Sequence, residues 1–251
     1  MMKRFQSDDA EIAFLDEGEG DPVLLIHGFA SNAHVNWVHT SWFDTLTSQG
    51  RRVIAIDNRG HGESEKLHDS ARYGAPLMAE DARRLLDHLE IGRADVMGYS
   101  MGARITAFLA LNRPERVRSA IFGGLGINMV RGVGDPEPIA SALEASSLDD
   151  VKDVTGRMFR QFAEKTGSDL LALAACMRSA RQKITEEALG GLSLPVLVAV
   201  GTKDHVGGSA EELAALIPGA DAFPIPERDH MVSVGDKAYK RAVTAFLKAR
   251  G

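Results

Sequence analysis

Three side chains able to carry nucleophilic catalysis occur along this chain in the order Ser100, Asp204, His230. Ser100 lies in Gly98-Tyr99-Ser100-Met101-Gly102, after the apolar run Asp95-Val96-Met97 and before a helical pattern over 103–112. A serine on a sharp strand-to-helix turn is lifted out of the sheet with its hydroxyl exposed. Flanking glycines leave room for that strained backbone. Such a hydroxyl attacks a carbonyl carbon once a base removes its proton. The rest of the chain must then supply a base, an acid and donors for the oxyanion.

The chain has eight histidines. His230 is the candidate base, because Glu227-Arg228-Asp229-His230-Met231 forms a loop between the last strand candidate and the last helix. His27 stands in His27-Gly28-Phe29, where its ring braces backbone. His34 and His39 fall in a polar loop, His61 in a turn, and His68 and His88 at the surface. His205 directly follows the candidate acid. That acid is Asp204, in Gly201-Thr202-Lys203-Asp204 after the apolar run 195–200. An acid there holds the imidazole in one tautomer and stabilises its charged form. The segment after the preceding strand, Phe122-Gly123-Gly124-Leu125, has no carboxylate, and Asp229 is too close to His230 to face its Nδ1. The amides of Phe29 and Met101 are the candidate oxyanion donors, one in the loop after strand 23–26 and one directly after the serine. Asp57-Asn58-Arg59-Gly60-His61-Gly62-Glu63-Ser64 reads as a structural turn in which Asp57 and Arg59 hold neighbouring loops.

The elements that must position these groups are short apolar runs alternating with amphipathic stretches. Residues 5–6 and 12–16 form an opening hairpin, and 23–26, 52–56, 95–98, 119–122 and 195–200 read as buried strands. Residues 222–225 add a further candidate, which Pro224 assigns to a sheet edge. Helices are predicted over 76–89 and 238–247, with Pro76 in the first turn of one and Asp236 capping the other. This alternation implies a mostly parallel sheet covered on both faces. Residues 126–191 break the rhythm with three helical patterns, 139–146, 151–165 and 169–181. In the middle one Val151, Val154, Met158 and Phe162 share a stripe. We read this segment as a helical cap inserted in a core made of 1–125 and 192–251; the alternative is one long crossover packed on the sheet.

At 251 residues, 44% apolar and 25% charged, the composition is that of an ordinary globular chain. The net charge of −6 argues against nucleic acid or an anionic membrane as partner. No secretory pattern opens the chain and no apolar run could span a bilayer. The single cysteine, Cys176, lies in an apolar helical run and reads as packing. One cysteine allows no intrachain disulfide, which fits a reducing cytoplasm. No phosphate-binding glycine loop or cysteine–histidine cluster is present, so neither cofactor nor metal is expected.

Taken jointly, His27-Gly28-Phe29, Asp57-x-Arg59-Gly60-His61-Gly62-x-Ser64, Gly98-Tyr99-Ser100-Met101-Gly102, Gly201-x-x-Asp204 and Asp229-His230 resemble the α/β-hydrolase family. Within it, the loops are similar to those of small esterase, lactonase and perhydrolase-like members. The resemblance implies an α/β-hydrolase fold with a helical cap before the acid-bearing strand. It implies a Ser100/His230/Asp204 triad and an oxyanion hole from Phe29 and Met101. Many members carry a second glycine where this chain has Ala103, a methyl that tightens the helix–strand contact. The expected activity is hydrolysis of a small-molecule carboxylic ester with an apolar, small to medium acyl group. The alternatives are C–C bond hydrolysis, lactone hydrolysis or perhydrolysis on the same triad, or a small-molecule receptor with a slow triad. Met129, Met158 and Phe162 are candidate substrate contacts; they and other apolar residues of 126–191 either line a pocket or pack the cap onto the sheet. Arg157, Arg160, Arg178 and Arg181 either bind an acidic substrate or form a solvated helix face. A monomer or homodimer is expected.

Overall fold

A computed structural model describes residues 1–179 and 182–250. Eight strands form one sheet: β1 (Lys3–Ser7), β2 (Ala10–Glu17), β3 (Asp21–Ile26), β4 (Arg51–Ile56), β5 (Ala94–Tyr99), β6 (Val117–Gly123), β7 (Val196–Gly201) and β8 (Asp221–Ile225). Their order across the sheet is β1-β2-β4-β3-β5-β6-β7-β8. β1 and β2 pair antiparallel, as does β2 with β4; all later pairs are parallel. The opening hairpin, the buried strands and the proline-bearing edge strand stand where the sequence places them.

Strand alternation divides the core. Leu24 and Ile26 of β3 join the cluster that contains Met78, Leu85, Ala103, Leu109 and Leu213. Val23 and Leu25 join the opposite cluster with Trp37, Trp42, Tyr239, Val243 and Phe246. Because successive side chains point to opposite faces, a strand buried on both sides must be apolar throughout, and β3 is apolar from Val23 to Ile26.

The helices are α1 (Trp42–Thr47), α2 (Ala75–His88), α3 (Met101–Asn112), α4 (Asn128–Arg131), α5 (Glu137–Glu144), α6 (Val154–Lys165), α7 (Leu170–Met177), α8 (Glu186–Gly190), α9 (Ala210–Ala214) and α10 (Lys237–Lys248). Asp236 caps α10, its Oδ1 accepting the Ala238 amide at 2.6 Å. Helices α4 to α8 all lie between β6 and β7. No described helix is long and apolar enough to cross a membrane.

Three sequence readings need correction. The supposed polar loop around His34 and His39 is a π-helical turn, His34–Val38, leading towards α1. It is anchored by the fully buried Trp37, which meets Trp42 edge-on at 6.3 Å. Helix α6 begins at Val154 rather than at 151, because Asp153 Oδ1 accepts the Gly156 amide at 2.7 Å and so caps it there. Its apolar stripe divides: Val151 is buried and Phe162 packs against a buried cluster, while Val154 is 83% exposed and Met158 38% exposed. The face that packs is Gly156, Arg160 and Ala163. A Cβ on Gly156 would lie 2.8 Å from Ala142 Cβ, so α6 approaches α5 through its small residues.

Candidate active site

Ser100 leaves the end of β5 with φ 56° and ψ −112°, a conformation that costs about 1–3 kcal/mol and persists only where its surroundings impose it. Its amide donates to the Gly123 carbonyl at 2.8 Å. Two glycines make the turn possible. A Cβ on Gly98 would fall 2.0 Å from the Gly102 oxygen, and one on Gly102 would fall 1.9 Å from the Ile26 oxygen. Ala103, in the first turn of α3, is fully buried in the core, so its methyl packs there.

His230 follows β8. Its Nε2 lies 2.9 Å from Ser100 Oγ and its Nδ1 2.8 Å from Asp204 Oδ2. A carboxylate only accepts, so Nδ1 carries the hydrogen and Nε2 presents its lone pair to the Ser100 hydroxyl. The other Asp204 oxygen, Oδ1, accepts the amides of Val206 at 2.9 Å and Gly207 at 2.8 Å. The Asp204 side chain is fully buried, and 13% of the His230 side chain is exposed. The chain thus runs from buried carboxylate to imidazole to hydroxyl. Asp229 does something else: its Oδ1 accepts the amides of Met231 and Val232 at 2.9 and 3.1 Å and so shapes the turn that carries His230.

The loop after β3 lies against this turn. A Cβ on Gly28 would stand 3.4 Å from Ser100 Cβ and 3.2 Å from the Tyr99 oxygen. The Gly28 amide donates to the buried Asn36 Oδ1 at 2.8 Å. His27 braces the same loop: Nδ1–H donates to the Gly28 carbonyl at 2.7 Å, and Nε2 accepts the Asn58 amide at 3.0 Å. Complete burial pushes its pKa down to about 4, so the ring is neutral. Among the described residues, no protein acceptor takes the amide of Phe29 or that of Met101. Two amides without a protein acceptor thus stand close in sequence to the Gly28–Ser100 contact, Phe29 directly after Gly28 and Met101 directly after Ser100.

Asp57 and Arg59 hold loops, as the sequence suggests. Asp57 accepts the amides of Ala33 at 2.7 Å and Glu63 at 2.8 Å, while burial raises its pKa. Arg59 makes a two-pronged pair with Asp81 at 2.7 and 2.8 Å. His61 lies in the turn over 59–62 and is fully buried; burial pushes its pKa down to about 3.

The candidate substrate contacts separate. Phe162 is half-buried beside Ala30, Leu143, Ala163 and Leu173. Met129 is buried in the main core, and Met158 is half exposed. Phe159 meets the Phe29 ring at 5.7 Å. The arginines are engaged in structure. Arg160 is buried, donating to the carbonyls of Ala142, Leu143 and Ala145. Arg178 bridges Glu137 and Glu144, and Arg157 donates to the Leu148 carbonyl. Arg181 lies outside the described residues. A cavity of about 420 Å³ beside the Asp204 loop, reached by Thr202, His205, Ser209 and Glu211, includes neither Ser100 nor His230.

Sequence reasoning missed Tyr99, whose hydroxyl donates to the His230 carbonyl at 2.6 Å. It also missed Asn36 and Thr166. Only the position of Tyr99 inside the serine motif could have drawn attention to it.

Comparison with known proteins bears on the family and the fold. A family model described as alpha/beta hydrolase fold matches residues 21–150. The chain is 28% identical, over 91% of its length, to the dihydrolipoyllysine-residue acetyltransferase component of an acetoin cleaving system from Pseudomonas putida. It is 37% identical, over 52% of its length, to a 2-hydroxymuconate semialdehyde hydrolase from the same species. The matches span 64% and 43% of those two relatives. Among solved structures, an esterase from Exiguobacterium antarcticum superposes with a TM-score of 0.80 at 21% identity, covering 99% of this chain and 100% of its own.

Proposed function

The chain belongs to the alpha/beta hydrolase fold family, and on that premise we propose that it is a serine hydrolase of carboxylic esters working through an acyl-enzyme. The observation that carries this reading is the hydrogen-bonded series Asp204–His230–Ser100, at 2.8 and 2.9 Å. His230 Nε2 takes the Ser100 proton as Oγ forms a bond to the ester carbonyl carbon. The carbonyl oxygen becomes an oxyanion and accepts the amides of Phe29 and Met101. The C–O bond to the alcohol then breaks, and the alkoxide leaves with the proton held by His230. Water attacks the acyl-enzyme by the same route, restoring Ser100. Asp204 stabilises the imidazolium formed in both halves.

Residues 126–191 act as a cap over this site, and Phe29, Phe159 and Phe162 give the acyl side an apolar wall. Acyl groups of small to medium length are therefore the expected substrates. A second reading, C–C bond hydrolysis on the same triad, gains support from the likeness to the 2-hydroxymuconate semialdehyde hydrolase.

The test is a panel of p-nitrophenyl esters of increasing acyl length, set beside a vinylogous diketone. Ser100→Ala should lower kcat on the preferred ester by about 10⁴-fold or more with the melting temperature unchanged. Full activity in that variant would remove the mechanism, and turnover of the diketone alone would favour the second reading.

A further inference from the structure

The loop that carries the Phe29 amide is gripped by the helical insertion. Ala30, the next residue, is fully buried, and its cluster partners Leu143, Ala163, Leu173 and Ala174 all come from α5, α6 and α7. Its φ is +57°, a conformation that side-chain-bearing residues rarely adopt. Its carbonyl, buried with it, accepts from Thr166 Oγ1 at 3.0 Å across 136 positions of sequence.

Thr166 is the residue on which α6 ends. Its hydroxyl has one proton and three carbonyls in reach: Ala30 at 3.0 Å, Phe162 at 3.1 Å and Ala163 at 3.0 Å. The Phe162 oxygen already accepts the Thr166 amide at 3.0 Å, and the Ala163 oxygen accepts the Ser168 amide at 2.9 Å. Among the described residues, no backbone amide reaches the Ala30 oxygen. Ser168 Oγ, 2.9 Å away, can donate into Thr166 Oγ1, so the Thr166 proton is left for the acceptor that has no other donor. A second contact acts in the same sense, the Phe159 ring meeting the Phe29 ring at 65°.

We propose that Thr166 is a positioning residue for the oxyanion hole: its hydroxyl fixes the Ala30 carbonyl and, through that left-handed residue, the direction of the Phe29 amide. This rests on the ester-hydrolase reading above. It makes the insertion part of the catalytic apparatus as well as a cover, because α6 adds a second hold on the loop to the one His27 makes on the Gly28 carbonyl, which shares a peptide plane with the Phe29 amide. A misdirected donor weakens binding of the oxyanion and leaves binding of the ground-state ester alone.

The test compares Thr166→Val, which removes the donor, with Thr166→Ser, which keeps it. Readouts are kcat and KM on a p-nitrophenyl ester, melting temperature, and inhibition by an alkyl boronic acid. The boronic acid forms an O–B bond with Ser100, whose proton passes to His230, and places an anionic oxygen in the hole. Thr166→Val should lose about tenfold in kcat, part of the 10²–10³ lost when a donor is removed outright. It should lose boronate affinity by the same factor, with KM unchanged and the protein still fully folded at the assay temperature, although its melting temperature falls because the buried Ala30 carbonyl is left without a donor; Thr166→Ser should recover kcat and boronate affinity. Wild-type kcat and boronate affinity in Thr166→Val would overturn the inference, as would a loss of kcat that only follows the folded fraction. If wild-type turnover proves independent of Ser100, the ester-hydrolase reading fails and this inference with it. If turnover depends on Ser100 and Thr166→Val matches wild type, this inference alone fails.

Discussion

Histidines serve this molecule in two opposite ways. His230 sits at the surface of the serine turn, between a buried carboxylate and a hydroxyl, with its carbonyl tied to Tyr99. His27 and His61 are shut inside, their rings 5.3 Å apart, each donating its Nδ1–H to a main-chain carbonyl. Burial lowers their pKa values to about 4 and about 3, from an ordinary 6.5. The sign follows from proton uptake. Between the folded and unfolded values, the unfolded chain binds protons that the folded chain refuses, so stability rises with pH across that window. Above about pH 6.5 neither ring matters; as pH falls below it, each costs about 1.4 kcal/mol per pH unit until its own folded value is reached. The carboxylates with lowered pKa values, such as Asp16 beside Arg52, act only at still lower pH. Urea midpoints at pH 7.5, 6.5, 5.5 and 4.5 should therefore be level at first and then fall steadily. A midpoint that stays constant down to pH 4.5 would show that the two rings are not sealed as described.

At the level of elements, the turn between β5 and α3 works because three backbones meet there with no side chain between them. Gly102 is where α3 touches β3. Gly102→Ala would drive a methyl into the Ile26 carbonyl at 1.9 Å, and a strand at the centre of the sheet has nowhere to move. We expect a loss on the order of 1–3 kcal/mol, measured by urea denaturation; unchanged stability would mean that α3 does not lie against β3 as described. The need for glycine here was legible from Gly98-x-Ser100-x-Gly102, and so were the strands, whose apolar runs end in the loops that carry Phe29, Asp204 and His230. The orientation of α6 was not legible. Periodicity picks out Val154 and Met158, yet those two are exposed. The helix packs through Gly156 and Ala163, which carry almost no hydropathy signal, and through Arg160, whose guanidinium closes the end of α5. Contacts such as Thr166–Ala30 and Tyr99–His230, 136 and 131 positions apart, leave no local trace either.

Across the whole molecule, the parallel strands β3 to β8 deliver their following loops to one edge of the sheet, where open α/β sheets place their sites. This brings Ser100 within 2.9 Å of a residue 130 positions away. The matched family region, 21–150, holds Ser100 and the two proposed oxyanion amides; the proposed acid Asp204 and base His230 lie beyond it, after the insertion. On the proposed reading, two separated stretches of chain act as one site whose nucleophile is Ser100. Intact-protein and peptide mass spectrometry after treatment with an alkyl fluorophosphonate tests it most directly, because phosphonylation at neutral pH requires a serine activated by its histidine. One adduct per chain is expected, on the peptide that contains Ser100, lost in Ser100→Ala and nearly lost in His230→Ala. Absence of an adduct on the folded protein, or an adduct that survives Ser100→Ala, would contradict it.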